Sequence, residues 1–177
     1  MIWKPFRGFS LIEMLTTLVV LATVTAIAVP SFMQSQKKAT VEHAAITLFS
    51  MLELAQSESL KQQRTLYVHY IPVGEETDGC IVVTANSDHE TSTCNEDNGL
   101  PKYDLPLAGD IVITSPLAVT ATKLFYFSHV TGFPSGNKTL TLDVKKDPIG
   151  NSGVLVRRYV GLKGCTSTGI DGWEPCT

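Results

Sequence analysis

Gly8-Phe9-Ser10-Leu11-Ile12-Glu13-Met14-Leu15 opens the stretch that organises this chain. From Phe9 to Val29 the sequence is apolar apart from scattered hydroxyls, and Glu13 is its one charged residue. As an α-helix that run rises about 30 Å, the thickness of a bilayer's hydrocarbon core. Lys4 and Arg7 precede it, which predicts an N-terminus inside the cell and the remaining chain on the far side of the membrane. A carboxylate near the centre of such a helix costs about 2.5–3.5 kcal/mol. Glu13 therefore sits near the interface, where the cost is small, or has a partner. The plainest reading is a membrane anchor that tolerates a Glu near its end. A second is a secretory signal, since Ala26-Ile27-Ala28 fits a cleavage site that would free a chain beginning at Val29. The carboxylate inside the run, and the run's length, argue against that second reading.

These residues resemble the type III signal of type IV pilins and pseudopilins. In that family a short basic leader ends in Gly, and a prepilin peptidase cuts after it. The resemblance implies a cut between Gly8 and Phe9, N-methylation of Phe9, and a role for Glu13, the fifth residue after the cut. An isolated carboxylate in lipid requires a cation, and the Phe9 amine of an offset neighbouring subunit supplies one. Desolvation limits the net gain from such a pair, so it acts as a check on register more than as glue.

Beyond Val29 the chain is long enough for one domain. Pro30 predicts a helix kink, since it removes a backbone donor. Gly and Pro are then absent from Ser31 to Ile71. Val41, Ala45, Leu48, Leu52, Ala55 and Ser59, with Ala44 and Met51 beside them, form an apolar stripe at helical spacing. Glu42, Glu53, Gln56, Lys61 and Gln63 fall largely off it. The pattern predicts one helix from Phe9 to about Gln63, apolar all round in its first half and amphipathic in its second. A coiled coil is the alternative for the second half, but two heptads are too few to specify one.

The remainder reads as strands: Thr65 to Ile71, Cys80 to Ala85, Ile111 to Thr114, Lys123 to Ser128, Lys138 to Val144 and Val154 to Val160. Turn residues at 132–137 and 148–153 separate the later ones. Thr139, Thr141 and Asp143 alternate with Leu140, Leu142 and Val144, predicting a half-buried antiparallel strand. Thr84 to Asp110 is expected to be a surface loop, and the tail after Lys163 to need a disulfide for order. The fold class expected is α+β: a long N-terminal helix, membrane-spanning in its first half, packed on an antiparallel β-sheet domain. The boundaries are 1–8 for a leader, 9–33 for a transmembrane or filament-core helix, and 34–177 for a periplasmic globular domain with helix 34–63.

The four cysteines, Cys80, Cys94, Cys165 and Cys176, all follow the anchor and form no Cys-x-x-Cys pair. Two disulfides in an oxidising compartment fit this usage, which agrees with the orientation set by Lys4 and Arg7. Three connectivities exist. Local pairing, Cys80 with Cys94 and Cys165 with Cys176, closes two short polar loops and is the expected one.

Net charge is −3, which gives no global polyanion-binding signature. Charge is uneven, however: nine acidic residues and one basic lie between Glu75 and Asp110, and six basic and two acidic between Lys138 and Lys163. Two solvated faces of one domain explain this better than a binding patch does. No nucleophile elbow, phosphate loop, zinc-protease helix or dinucleotide motif occurs, so no enzyme and no cofactor is expected. His43 and His69 are read as surface or packing residues. Asp88, Glu90, Glu96 and Asp97 lack the spacing of a calcium loop, and no metal is expected.

Leu48, Leu52, Ala55, Ser57, Glu58, Leu60 and Lys61, placed before a strand at Leu66, resemble a stretch of the GspH/FimT/FimU type of minor pilins and pseudopilins. The order Phe127, Gly132, Gly136, Thr139-Leu140-Thr141-Leu142 is similar to that family's C-terminal half. The resemblance implies a pilin fold and a minor subunit that initiates or caps a type IV pilus-like fibre, or a type II secretion pseudopilus. It implies as partners a prepilin peptidase, other minor pilins, the major pilin, an inner-membrane assembly platform, and the membrane itself before assembly. Some members bind DNA for uptake through a Gly-Arg-x-Arg motif. Here Gly161-Leu162-Lys163-Gly164 lacks both arginines, which leaves Lys145, Lys146, Arg157, Arg158 and Lys163 as the candidate phosphate contacts, with salt-sensitive affinity. On a strand, Arg157 and Arg158 would face opposite ways.

Overall fold

The computed structural model describes residues 10–72, 79–88, 94, 99–104, 111–113, 122–144, 150–167, 170 and 172–176. One helix and eight strands follow in order: α1 Leu11–Lys61, β1 Leu66–Ile71, β2 Cys80–Thr84, β3 Lys102–Asp104, β4 Ile111–Ile113, β5 Thr122–Phe127, β6 Lys138–Val144, β7 Ser152–Arg157 and β8 Gly161–Thr166. The chain divides into two units, Met1–Gln36 and Lys37–Thr177.

α1 runs without interruption through Pro30. Proline there has no N–H to offer the Ala26 carbonyl, so one rung of the helix ladder is missing. At the other end the helix stops two residues before the expected limit. Gln63 takes a left-handed conformation (φ 52°), the Arg64 N–H donates to the Ser59 carbonyl at 3.3 Å, and the Gln63 N–H donates to the Leu60 carbonyl at 3.2 Å. This is the Schellman pattern, built on Gln instead of the usual Gly.

In the second unit α1 buries Val41, Ala44, Ala45, Leu48, Met51, Leu52, Ala55 and Ser59, the residues of the expected stripe. Ser59 is satisfied there because its hydroxyl donates to the carbonyls of Arg64 (3.2 Å) and Phe127 (3.3 Å). The stripe joins one core with both sheets: Leu66, Val68, Ile81, Val83, Phe125 and Phe127 from the first, Leu140, Leu142, Val154 and Val156 from the second.

The expected antiparallel β-sheet domain is built, among the described residues, from two four-stranded sheets, with orders β3-β2-β1-β5 and β4-β6-β7-β8. Two strands, the short β3 and the glycine-rich β8, are additional to the six expected. β3 interrupts the expected 84–110 loop, pairing Tyr103 with Ile81 so that its ring reaches the core. β8 runs into the segment after Lys163 expected to be tail, although Gly161 and Gly164 weaken its strand pattern. β7 begins and ends earlier than expected. Ser152 belongs to it because its hydroxyl meets that of Thr166 at 2.9 Å. Arg158 to Val160 form the turn into β8, closed by the Val160 N–H on the Arg157 carbonyl at 3.2 Å. Thr141, expected to face water, is buried, as is Leu155 across from Thr139.

Candidate assembly helix and domain surface

Within the first unit the helix is a rod of exposed apolar side chains. Leu11 is 79% and Leu15 51% exposed, and Ile12, Leu18, Val19, Val20 and Leu21 lie in the same range. Its four threonines do not make it polar. The hydroxyls of Thr16, Thr17 and Thr23 donate to the carbonyls of Glu13, Met14 and Val20, and that of Thr25 to Leu21 and Ala22, all within 2.8–3.0 Å. Each donor is thus consumed inside the helix, as transfer into an apolar medium requires. α1 is long and apolar enough to cross a membrane.

That leaves Glu13 as the only carboxylate in the stretch from Leu11 to Val29, and none of the described cations is paired with it. Its N–H and that of Met14 donate to the Ser10 carbonyl, so Glu13 stands in the first helical turn. The positive end of the helix dipole favours a carboxylate there by about 0.3–1 kcal/mol. This offsets part of its desolvation but leaves the charge in need of a cation in lipid. Gly8 and Phe9 lie outside the described residues, as do Lys4 and Arg7.

On the domain, disulfides join Cys80 to Cys94 and Cys165 to Cys176. The first ties the start of β2 to a point where the Lys102 ammonium donates to the Cys94 carbonyl at 2.9 Å and pairs with Asp104 at 3.2 Å. The second holds a C-terminal strap along β8. The Thr166 N–H donates to the Glu174 carbonyl at 2.8 Å, and Glu174 forms a bridge beside Cys165. The strap covers the open edge of β8, a place where unpaired backbone would recruit another strand.

The described basic candidates differ in their surroundings. The Lys163 ammonium is held by the Glu174 carboxylate. Arg157 ends β7 half-buried and shares its face with Lys163, two pairs along the ladder. Arg158 is in the turn, not on the strand, and its guanidinium lies 5.4 Å from the centre of the Tyr159 ring. Lys145 and Lys146 are outside the described residues, as are Glu90, Glu96 and Asp97. His43 is exposed on α1. His69 is fully buried, and its Nε2–H donates to the Asn86 carbonyl at 3.2 Å. Among the described residues no group of three metal-ligating side chains gathers. Trp173 and the exposed aromatics near Tyr126 were not singled out by sequence reasoning; the only signal for Trp173 was its place inside the Cys165–Cys176 loop.

Residues 3–29 match the prokaryotic N-terminal methylation motif. No curated protein and no solved structure matches the chain. The motif spans Gly8-Phe9, Glu13 and most of the exposed apolar part of α1, and from Val41 onward α1 packs on antiparallel sheets. The motif indicates a type IV pilin-like prepilin, and a long helix packed on antiparallel sheets fits that architecture.

Proposed function

We propose that the chain is a minor pilin or pseudopilin that helps to initiate or cap a type IV pilus-like fibre. The observation that carries this reading is the methylation motif laid over a helix whose apolar surface is exposed from Leu11 to Met33. Such a surface needs lipid before assembly and neighbouring helices afterwards. Proteins of this class are structural subunits, and the roles assigned here are those of assembly. Gly8 and Phe9 flank the peptidase cut, Phe9 carries the methylated amine, Glu13 sets register against a neighbour's amine, and Pro30 is the bend point. Residues 1–8 are the leader, 9–33 the membrane and filament helix, and 34–177 the periplasmic domain. The minor role rests on the resemblance of the helix end around Ser57-Glu58 and of the strand at Leu140–Leu142.

Exchanging Glu13 for Ala tests the reading. The variant should be processed like the parent chain but be depleted from sheared fibres, or fail to support fibre formation. Normal incorporation would refute the pairing role. Deleting the gene should abolish twitching or enzyme secretion, and which of the two is lost assigns the fibre.

A further inference from the structure

A hollow of about 290 Å³ opens on the domain where β5, the 128–135 turn and the β7–β8 turn meet. Three aromatic rings line it, Tyr126 (40% exposed), Phe133 (40%) and Tyr159 (78%). Exposed rings gathered at one concave site mark a binding surface more often than chance decoration. Tyr126 is braced from behind: its ring lies 5.5 Å from that of Tyr67, over which the Lys123 ammonium sits, also at 5.5 Å.

The polar groups of the hollow have one sense. The hydroxyl oxygens of Ser128, Thr131 and Ser135 accept the N–H groups of Val130 (3.3 Å), Phe133 (3.3 Å) and Tyr126 (3.1 Å). Each hydroxyl spends one of its two lone pairs on that bond and keeps its own proton to donate outward. Arg158 adds a guanidinium stacked on Tyr159, and among the described residues no carboxylate pairs with it. Among the described residues no Asp or Glu lines the site. A wall of donors, one cation and three π faces selects a ligand rich in acceptors, with one negative group and a flat C–H face.

We propose that this hollow binds a carboxylated sugar, with its ring on Tyr126 and Tyr159, its hydroxyls on Ser128, Thr131 and Ser135, and its carboxylate on the Arg158 guanidinium. The electron-rich face of an aromatic ring attracts the polarised C–H groups of a sugar ring. The Arg–carboxylate bond supplies geometry as well as energy. A nucleic acid fits less well: a phosphate backbone requires a row of cations, and the hollow has one. The nearest charged strand residue on β8, Lys163, is engaged by Glu174. The site is independent of which fibre the chain enters.

The test is titration of the full chain in detergent micelles, by ligand-observed NMR, with sialyllactose, tri-galacturonate, neutral lactose and oligo-thymidylate. At least one acidic sugar should bind, and lactose about tenfold or more weaker, the scale of a lost charge-assisted hydrogen bond. Arg158→Gln and Tyr126→Ala should each weaken the acidic sugar by about tenfold without lowering the unfolding temperature substantially. Any of three results would overturn the proposal: neither acidic sugar binding at millimolar concentration, undiminished binding by Arg158→Gln, or tighter binding of oligo-thymidylate than of both sugars at physiological salt.

Discussion

The indole of Trp173 occupies the space that a β-carbon at Gly164 would fill. Gly164 is therefore a seat in β8, and Trp173 is the side chain that docks the C-terminal strap into it. From there the indole reaches the core margin and meets Phe49 of α1 with ring centres 6.0 Å apart. Gly164→Ala should lift the strap. In a Trp3→Phe background Trp173 is the only tryptophan, so its emission should shift to the red and become more open to iodide quenching. Overpacking of this kind costs about 1–3 kcal/mol, readable as a lower denaturant midpoint.

The Cys165–Cys176 disulfide closes a loop with a sequence separation of 11. Loops of this size stabilise by about 2–4 kcal/mol, largely by restricting the unfolded chain. The double Ser variant should lose stability of that order and release Trp173, with the same red shift as Gly164→Ala. Because β8 would then expose its edge, the variant should also self-associate, visible as a rising particle size in light scattering.

Tyr103 is buried, and its hydroxyl has no hydrogen-bond partner among the described residues. Burial pushes its phenol from the ordinary 10.0 up to about 12. The folded state thus holds the proton more tightly than the unfolded state. The resulting contribution is fully present below pH 10 and is lost as pH rises through about 12, amounting to about 2–3 kcal/mol. Tyr103→Phe should flatten the fall in stability across that window. At neutral pH it should be neutral or stabilising by about 1 kcal/mol, since no hydrogen bond is broken and an unsatisfied polar group is removed.

Leu52 and Leu54 are near neighbours on α1 with opposite surroundings: Leu52 is fully buried in the core and Leu54 is half exposed. Leu52→Ala should cost about 2–5 kcal/mol, the range for a buried leucine. Leu54→Ala should stay within about 0.5 kcal/mol, as surface substitutions do. Chemical denaturation of the two variants checks whether the stripe is assigned to the correct face.

The helix was legible because its signals agree. Apolar residues recur at helical spacing from Val41 to Ser59, and no Gly or Pro follows Pro30 until after Ile71. The stop at Lys61 was less legible because Gln63, not Gly, adopts the left-handed cap. Strands β1 and β6 announced themselves through β-branched and alternating residues. β3 is only Lys102–Asp104, too short for a period to show. β8 contains two glycines, one of which serves the Trp173 seat and the other the turn from β7. The split into two sheets is set by pairing between distant strands, such as β1 with β5, which local pattern does not encode. At the candidate assembly site, Glu13 stood out because it interrupts an apolar run. The aromatic hollow did not, because Tyr126, Phe133 and Tyr159 meet only once two turns are folded together.

The central claim is that Gly8-Phe9 is a processing site and that the helix behind it builds a fibre. Intact-mass measurement of the chain recovered from membranes and from sheared fibres tests it most directly. The account predicts a chain beginning at Phe9 and heavier by one methyl group, with the same species in both fractions. A chain that still carries Met1 to Gly8 in the presence of an active prepilin peptidase, or one that begins at Val29, would contradict it.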